Sequence, residues 1–199
     1  MKILVATNNP AKIAELSAFL MAENYEIETL ANLGLADIEE TGTTFEENAL
    51  LKAKYYARKS DLLSIADDSG LEIDALGGAP GVKSKRWIGE QASWLDLARV
   101  VVERLANTPA EARTARLRTV MAIATPDGSY RTAEATIEGR IIETLNEEKI
   151  IAGYPYRALL LVNNFGKLYA DLTENEHEQV NQRKQAFQKL LPYLRGITA

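Results

Sequence analysis

The feature that most constrains the fold is a short apolar run that leads into two adjacent carboxylates. Residues 62–66 have the pattern of a buried strand, and Asp67 and Asp68 follow directly. A Ser-Gly pair comes next, so we expect the strand to end where the acids begin and a second short strand to cover residues 71–74. Adjacent carboxylates at a strand end favour a hard cation such as Mg²⁺, which binds oxygen and usually takes only one or two protein ligands.

A glycine-rich loop and a basic segment follow the acids. The loop contains Gly77, Gly78 and Gly81, and glycine lets the backbone approach a ligand closely. Lys85 and Arg86 then supply positive charge. Acids for a metal followed by bases for an anion indicate a phosphate ester or a nucleotide. The alternative interpretation is an Asp-Ser-Gly turn and a Gly-Pro loop with a solvated basic edge.

The chain begins with a strand, a polar loop and a helix, which is a phosphate-binding arrangement. The strand is predicted over residues 2–6, and Pro10 suits the first turn of the helix. The loop offers the side chains of Thr7 and Asn8 and the backbone N–H groups at the positive helix end, with Lys12 one turn in. It lacks the glycines of a P-loop, and many α/β domains begin in this way without a ligand.

A second helix is predicted over residues 45–59. Thr44 is its expected N-cap, and Glu47 three residues later completes a capping box. Asn48 and Lys52 are four residues apart and therefore share one face of the helix. The alternative interpretation is that Lys52 is solvated and that Glu47 only caps the helix.

The rest of the chain predicts a mixed sheet with flanking helices. The other predicted elements are a strand at 25–30, a helix at 93–106 with Ser93 as N-cap, a long exposed hairpin at 114–124 and 129–137, a strand at 158–162, a return strand at 167–172 and one closing helix at 174–194. Parallel-type units followed by an antiparallel hairpin favour a mixed sheet. We predict a single domain over residues 1–199.

Composition excludes several classes of protein. The net charge of −5 argues against a general nucleic-acid binder, which presents a basic face. The chain has no cysteine and only one histidine, His177, so a thiolate site and a multi-histidine zinc site are impossible within one chain. The N-terminal apolar run is too short for a signal peptide and no segment reaches a membrane-spanning length, so we expect a cytoplasmic protein.

Three segments together resemble the inosine-triphosphate pyrophosphatase family, which hydrolyses deaminated purine nucleoside triphosphates to the monophosphate and pyrophosphate. They are ATNNPAK at residues 6–12, EETGTTFEENALLKA at residues 39–53 and IADDSGLEIDALGGAPGVKSKRW at residues 65–87. The resemblance spans nearly the whole chain. It implies an elongated α/β fold with a mixed sheet flanked by helices, two lobes with a central cleft, and a homodimer.

The resemblance also implies roles for individual residues. The implied substrate contacts are Thr7, Asn8, Lys12 and Lys52 on the triphosphate, Ser69 on the nucleotide, and Lys85 and Arg86 at the basic positions after the glycines. Asp68 would be the proton acceptor and a metal ligand, assisted on the metal by Glu39. The expected cation is Mg²⁺, with Mn²⁺ as the alternative, and no step of the hydrolysis needs a histidine or a cysteine.

The last third of the chain departs from the family pattern. Where the family has Phe-Gly-Tyr-Asp-Pro, this chain has AGYPY at residues 152–156, and where the family has Ser-His-Arg it has NQR at residues 181–183. Tyr154 and Arg183 survive as implied contacts of the base, and His177 stands where the family has a lysine. The triphosphate half is therefore retained and the base-recognition half is altered, so we expect weaker discrimination between bases.

Three hypotheses remain open from the sequence. The first is an active pyrophosphatase for deaminated purine nucleoside triphosphates such as ITP, dITP and XTP. The second is the same chemistry on a different nucleotide. The third is a nucleotide-binding paralogue with little turnover, against which the retained Asp68 argues, because a protein that only binds nucleotides has less need of it.

Overall fold

The fold is an α/β arrangement built on one seven-stranded mixed sheet, as expected. We describe residues 1–198 of a computed structural model, excluding the side chain of residue 198. The strand order is β2-β1-β3-β4-β5-β6-β7. The strands are β1 (Lys2–Val5), β2 (Glu26–Thr29), β3 (Leu63–Ile73), β4 (Thr114–Ala124), β5 (Tyr130–Ile141), β6 (Leu160–Val162) and β7 (Lys167–Leu168). The helices are α1 (Pro10–Ala22), α2 (Phe45–Ser60), α3 (Trp94–Arg104), α4 (Glu174–Val180) and α5 (Gln182–Thr198).

One side of the sheet is parallel and the other is antiparallel. Strand β1 pairs in parallel with β2 and with β3, and Val5 is the partner of Thr29 on one side and Ile65 on the other. Strands β5, β6 and β7 pair in antiparallel fashion. Helices α1 and α2 provide the long crossovers that parallel neighbours require. No helix of the described residues is long and apolar enough to span a bilayer.

The chain divides into two compact units, each made of separate segments. Unit 1 contains residues 1–68 and 119–135 and the chain from residue 183 onward, and unit 2 contains residues 69–118 and 136–182. In unit 1, Leu16 and Leu20 of α1 share a core with Phe187 and Leu190 of α5. The core of unit 2 includes Leu97 of α3. The assignment of residues 1–199 to one domain stays a prediction.

The helix N-termini follow the capping signals in the sequence. Thr44 and Glu47 form the predicted capping box of α2, and Ser93 and Asp96 form that of α3. These boxes stabilise the first turn because each satisfies backbone N–H groups that have no partner inside the helix. The predicted starts of these two helices are therefore confirmed.

The prediction that the first long strand ends at the two acids is wrong. Strand β3 is continuous from Leu63 to Ile73, and Asp67 and Asp68 lie in its middle. Gly70 is extended in this strand and makes no turn. Its missing side chain lets Ser84 approach the strand closely. The hydroxyl of Ser84 accepts a hydrogen bond from the N–H of Leu71 at 2.9 Å, which leaves no room for a side chain at residue 70.

Three other expectations also need correction. Strands β4 and β5 lie between β3 and β6 and residues 120–124 are buried, so this hairpin is exposed only in part, at β5 positions such as Tyr130, Arg131 and Glu134. The closing helix is two helices, because Asn181 leaves helical geometry with φ −56° and ψ 104°. The return strand ends at Leu168 and continues as a 3₁₀ turn over Tyr169–Asp171.

We predict that Gly70→Ala destabilises the fold. A Cβ atom at residue 70 would lie 2.3 Å from the Ser84 hydroxyl oxygen and 2.6 Å from the carbonyl oxygen of Gly81. Overpacking of this kind costs about 1–3 kcal/mol, and urea unfolding measures it. Gly196→Ala in α5 is the matched control, because no atom lies within 4 Å of its added Cβ. Equal stability of the two variants would contradict the tight approach at Gly70.

Candidate active site

The two aspartates lie where a neighbouring parallel strand has just ended. Strand β1 stops at Val5, and the N–H of Ala6 still donates to the carbonyl oxygen of Ile65 on β3 at 2.8 Å. Strand β3 continues past this point, so Asp67 and Asp68 lie beside the loop that leads from β1 into α1. In open α/β sheets, ligands bind outside the carboxyl ends of such strands.

Asp67 is the centre of a buried ionic cluster. Its side chain is fully buried, and its Oδ2 atom lies 3.0 Å from Lys12 Nζ and 3.1 Å from Arg183 Nη2. Burial disfavours the charged carboxylate, but Lys12 and Arg183 outweigh it and hold the pKa of Asp67 well below its usual range. Asp67 is therefore a permanent anion in this unit. Burial lowers the pKa of Lys12, although the charge of Asp67 opposes that effect.

Lys52 approaches the same strand from helix α2. Its Nζ atom donates to the backbone carbonyl oxygen of Asp67 at 2.7 Å and to Glu40 Oε1 at 2.6 Å. Lys52 is buried, which disfavours its charge, but Asp68, Glu40 and Asp67 outweigh burial and raise its pKa. The alternative interpretation, a solvated Lys52, is therefore wrong, because α2 directs this face toward β3.

Asp68 is held by an amide from α2. Asn48 Nδ2 donates to Asp68 Oδ2 at 3.0 Å, while Asn48 Oδ1 accepts from the N–H of Gly42 at 2.8 Å. Burial raises the pKa of Asp68, with Lys52 as the largest opposing charge. A carboxylate with a raised pKa is a better proton acceptor near neutral pH than an ordinary aspartate. Asn48 therefore orients the group best suited to accept a proton.

The loop after β1 is organised by Asn9, for which the sequence predicted no role. Asn9 is the N-cap of α1, and its side chain accepts from the backbone N–H groups of Ala11 and Lys12 at 3.0 and 3.4 Å. The hydroxyl of Thr7 accepts from the N–H of Asn9 at 3.2 Å, and Asn8 is exposed. The Asn9 cap fixes the first turn of α1 and with it the position of Lys12.

The acidic segment before α2 places Glu40, not Glu39, beside Lys52. Glu39 is exposed, whereas Glu40 is partly buried and its charge contributes to the raised pKa of Asp68. No three acidic or histidine side chains within residues 1–198 converge as a metal cage. This arrangement fits Mg²⁺, which usually takes one or two carboxylates and completes its shell with water and phosphate oxygens.

Four predicted site residues belong to unit 2. Ser69 follows Asp68 on β3, Lys85 is exposed and Arg86 is partly buried. The loop that carries Lys85 and Arg86 is fixed at Ser84, whose hydroxyl donates to the carbonyl oxygen of Gly81 at 2.6 Å. The hydroxyl of Tyr156 donates to the backbone carbonyl oxygen of Ser84 at 2.5 Å.

The fourth residue, Tyr154, belongs to a stacked group of unit 2. The Arg157 guanidinium lies 3.8 Å from the ring centre of Tyr154 and 4.9 Å from that of Tyr169. His177 stacks on Tyr169 with ring centres 5.2 Å apart. Ala152, which stands at an aromatic position of the family pattern, is exposed.

The structure therefore brings together Lys12, Lys52, Asp68 and Arg183 around Asp67. Sequence reasoning did not assign Asn48, Glu40 or Arg157 to a site. The spacing of Asn48 and Lys52 placed both on one helix face, which was the available signal for Asn48. A single sequence gives no signal that distinguishes Glu39 from Glu40.

Comparisons with known proteins show the family of the chain. A sequence model of the Ham1 family matches residues 3–193. The chain belongs to the Ham1 family. This confirms the resemblance to the inosine-triphosphate pyrophosphatases that the three motifs indicated.

Relatives in the Ham1 family align over nearly the whole chain. A dITP/XTP pyrophosphatase of Exiguobacterium sibiricum is 42% identical over 191 residues, which cover 96% of this chain and 95% of that protein. A dITP/XTP pyrophosphatase of Bacillus subtilis is 39% identical over 94% of this chain and 93% of its own length. The solved structure of the Staphylococcus aureus Ham1 protein matches with a TM-score of 0.85 at 31% identity, covering 98% of this chain and 99% of that one.

We predict that Asn48→Ala impairs both stability and turnover. The change removes a buried amide and leaves Asp68 and the N–H of Gly42 without these hydrogen bonds, which costs about 1–3 kcal/mol. Loss of such an orienting contact typically lowers activity roughly 10–100-fold. Lys59→Ala, at an exposed position of α2, is the control. Turnover of Asn48→Ala equal to that of the parent would contradict an orienting role for Asn48.

Proposed function

We propose that this protein is a nucleoside-triphosphate pyrophosphatase that cleaves between the α- and β-phosphates of deaminated purine nucleotides such as ITP, dITP and XTP. The observation that carries the proposal is the convergence of Lys12, Lys52 and Asp68 at the end of β1. The names of the near-full-length relatives support the same activity. The reaction gives a nucleoside monophosphate and pyrophosphate.

The residues of the site divide the work of hydrolysis. Lys12 and Lys52 bind the phosphate chain and stabilise negative charge on the departing pyrophosphate. Thr7 and Asn8 add polar contacts beside the first turn of α1. Asp68 accepts the proton of the attacking water, and its raised pKa suits this role.

We further propose that the site binds Mg²⁺, with Mn²⁺ as the alternative. The donor set supports this. The charge of Glu40 acts on Asp68, and the fully buried Asp67 Oδ1 makes no hydrogen bond with the described residues. Asp68 would hold the cation, with Glu39 as the predicted second ligand. Glu40 is the alternative second ligand, because its charge acts on Asp68. When bound, the cation supplies Lewis acidity to the phosphate oxygens and favours ionisation of water.

We also propose nucleotide contacts for residues of unit 2. Ser69, Lys85 and Arg86 would contact the nucleotide, and Tyr154 offers a ring on which a base can stack. Stacking of a base on an aromatic ring is worth about 1–3 kcal/mol. We also propose a homodimer in the cytoplasm, for which the family resemblance is the support. Light scattering at micromolar concentration tests the assembly, and the mass of a monomer would contradict it.

We predict that the protein releases pyrophosphate, and no orthophosphate, from ITP in the presence of Mg²⁺. Asp68→Asn should lower turnover roughly 10²–10⁴-fold, the usual contribution of a general base. Parallel assays for the two phosphate products give the cleavage site. Asp61→Asn, at an exposed position after α2, is the charge-matched control. Full activity of Asp68→Asn would remove Asp68 from the mechanism, and absence of hydrolysis by the parent would favour the nucleotide-binding paralogue.

We predict that discrimination between bases is weaker than the family pattern would give. Ala152 supplies no ring for stacking. Polar groups that would reject the wrong base are also missing, because Pro155 replaces an aspartate and removes a backbone N–H donor, and Gln182 replaces a histidine. The measurement is kcat/KM for inosine, xanthosine, guanosine and adenosine triphosphates. A preference for inosine and xanthosine of about a hundredfold or more, as expected of a well-built polar site, would contradict this prediction.

A further inference from the structure

The segment that carries Glu39 and Glu40 is held along one side of helix α2. This acidic loop, residues 36–43, forms no helix or strand of its own. The helix side that holds it presents three buried polar side chains, which are those of Asn48, Lys52 and Tyr56. They are spaced four residues apart, so they lie on one face of α2. The acidic loop and this face both belong to unit 1.

Each of the three helix residues makes a hydrogen bond to one residue of the acidic loop. These pairs are Asn48 Oδ1 with the N–H of Gly42 at 2.8 Å, Lys52 Nζ with Glu40 Oε1 at 2.6 Å, and the Tyr56 hydroxyl with the carbonyl oxygen of Ala36 at 2.7 Å. As the helix advances from residue 48 to residue 56, the loop partners go back from residue 42 to residue 36. The acidic loop therefore runs antiparallel along α2.

Tyr56 holds the far end of the acidic loop. Its side chain is only 1% exposed, and its hydroxyl donates to the loop backbone at Ala36. Burial, together with the charge of Asp37, raises the pKa of Tyr56 to about 12, although a backbone hydrogen bond from Ile38 opposes the rise. The hydroxyl therefore stays protonated near neutral pH and remains a donor.

The Tyr56 hydroxyl differs from the other two contacts in what else it binds. Asn48 also donates to Asp68, and Lys52 also donates to the backbone carbonyl oxygen of Asp67. Within residues 1–198, the hydrogen bonds of the Tyr56 hydroxyl go to the acidic loop and none goes to β3. Removing this hydroxyl therefore changes the hold on the loop and leaves the contacts of both aspartates in place.

Glu39 lies between the two fixed points of the loop, Ala36 and Glu40. A segment that is fixed at both ends loses less conformational entropy when one of its side chains binds a ligand. Release of the end at Ala36 would let the loop move, and a cation would then have to order it. The affinity for the cation would fall as a result.

We infer that Tyr56 is a positioning residue for the cation site, which acts by fixing the acidic loop against α2. The inference rests on the proposed function only in taking Glu39 or Glu40 as the second ligand of the cation. Tyr56 has no contact with the cation in this account and changes its binding through the loop alone.

Binding of Mn²⁺ alone, without nucleotide, tests the inference. Tyr56→Phe removes the hydroxyl and keeps the ring. We expect it to raise the Kd for Mn²⁺, measured from free Mn²⁺ by electron paramagnetic resonance, about three- to tenfold, the effect of losing one neutral hydrogen bond. The Mg²⁺ concentration for half-maximal hydrolysis of ITP should rise in the same proportion, while kcat at saturating Mg²⁺ stays close to that of the parent.

Two variants serve as controls. Tyr55→Phe makes the same chemical change at the neighbouring tyrosine, which is exposed, and should bind Mn²⁺ like the parent. Ile3→Val removes one methylene group from the core of unit 1. It should lower stability against urea without changing Mn²⁺ affinity, so it separates the positioning of the loop from a general loss of stability.

Mn²⁺ affinity of Tyr56→Phe equal to that of the parent would overturn the inference. An equal loss of affinity in Tyr55→Phe or in Ile3→Val would also overturn it, because the loss would then not depend on the contact with Ala36. Failure of the parent to bind Mn²⁺ would contradict both the proposed cation site and the role of Tyr56. A parent that binds Mn²⁺ but hydrolyses no nucleoside triphosphate would contradict the proposed function alone.

Discussion

The structure of unit 1 depends on one buried carboxylate, that of Asp67. Its side chain is fully buried and meets cations from two helices, Lys12 of α1 and Arg183 of α5. A buried charge is tolerated only when it is paired and hydrogen-bonded. Because Asp67 lies in the middle of β3, these pairs fix both helices to the strand that carries the proposed proton acceptor.

The adjacent acids have different surroundings and therefore different roles. The pKa of Asp67 lies well below its usual range because Lys12 and Arg183 outweigh burial, whereas burial raises the pKa of Asp68. Such a separation between two neighbouring carboxylates is how an acid-base site assigns its groups. The difference supports the proposal that Asp67 stabilises the site and Asp68 accepts the proton.

Local signals in the sequence were sufficient for the starts of α2 and α3, the parallel β1–α1 unit and the family. The capping boxes at Thr44 and Ser93 depend only on residues three apart, so they could be predicted. The continuous β3 could not, because Gly70 is extended through a contact with Ser84, fourteen residues away. The contacts of Arg183 with Asp67 and Glu15 join positions up to 168 residues apart, and no local pattern encodes them.

The most direct test of this account compares the stabilities of Asp67→Asn and Asp68→Asn by urea unfolding. We expect Asp67→Asn to lose about 3–5 kcal/mol, because it leaves Lys12 and Arg183 buried without their shared counter-ion. Asp68→Asn should be close to neutral, because burial already disfavours the charge at that position. If both variants lost the same free energy of unfolding, or if Asp67→Asn lost none, Asp67 would not be the residue on which the site depends.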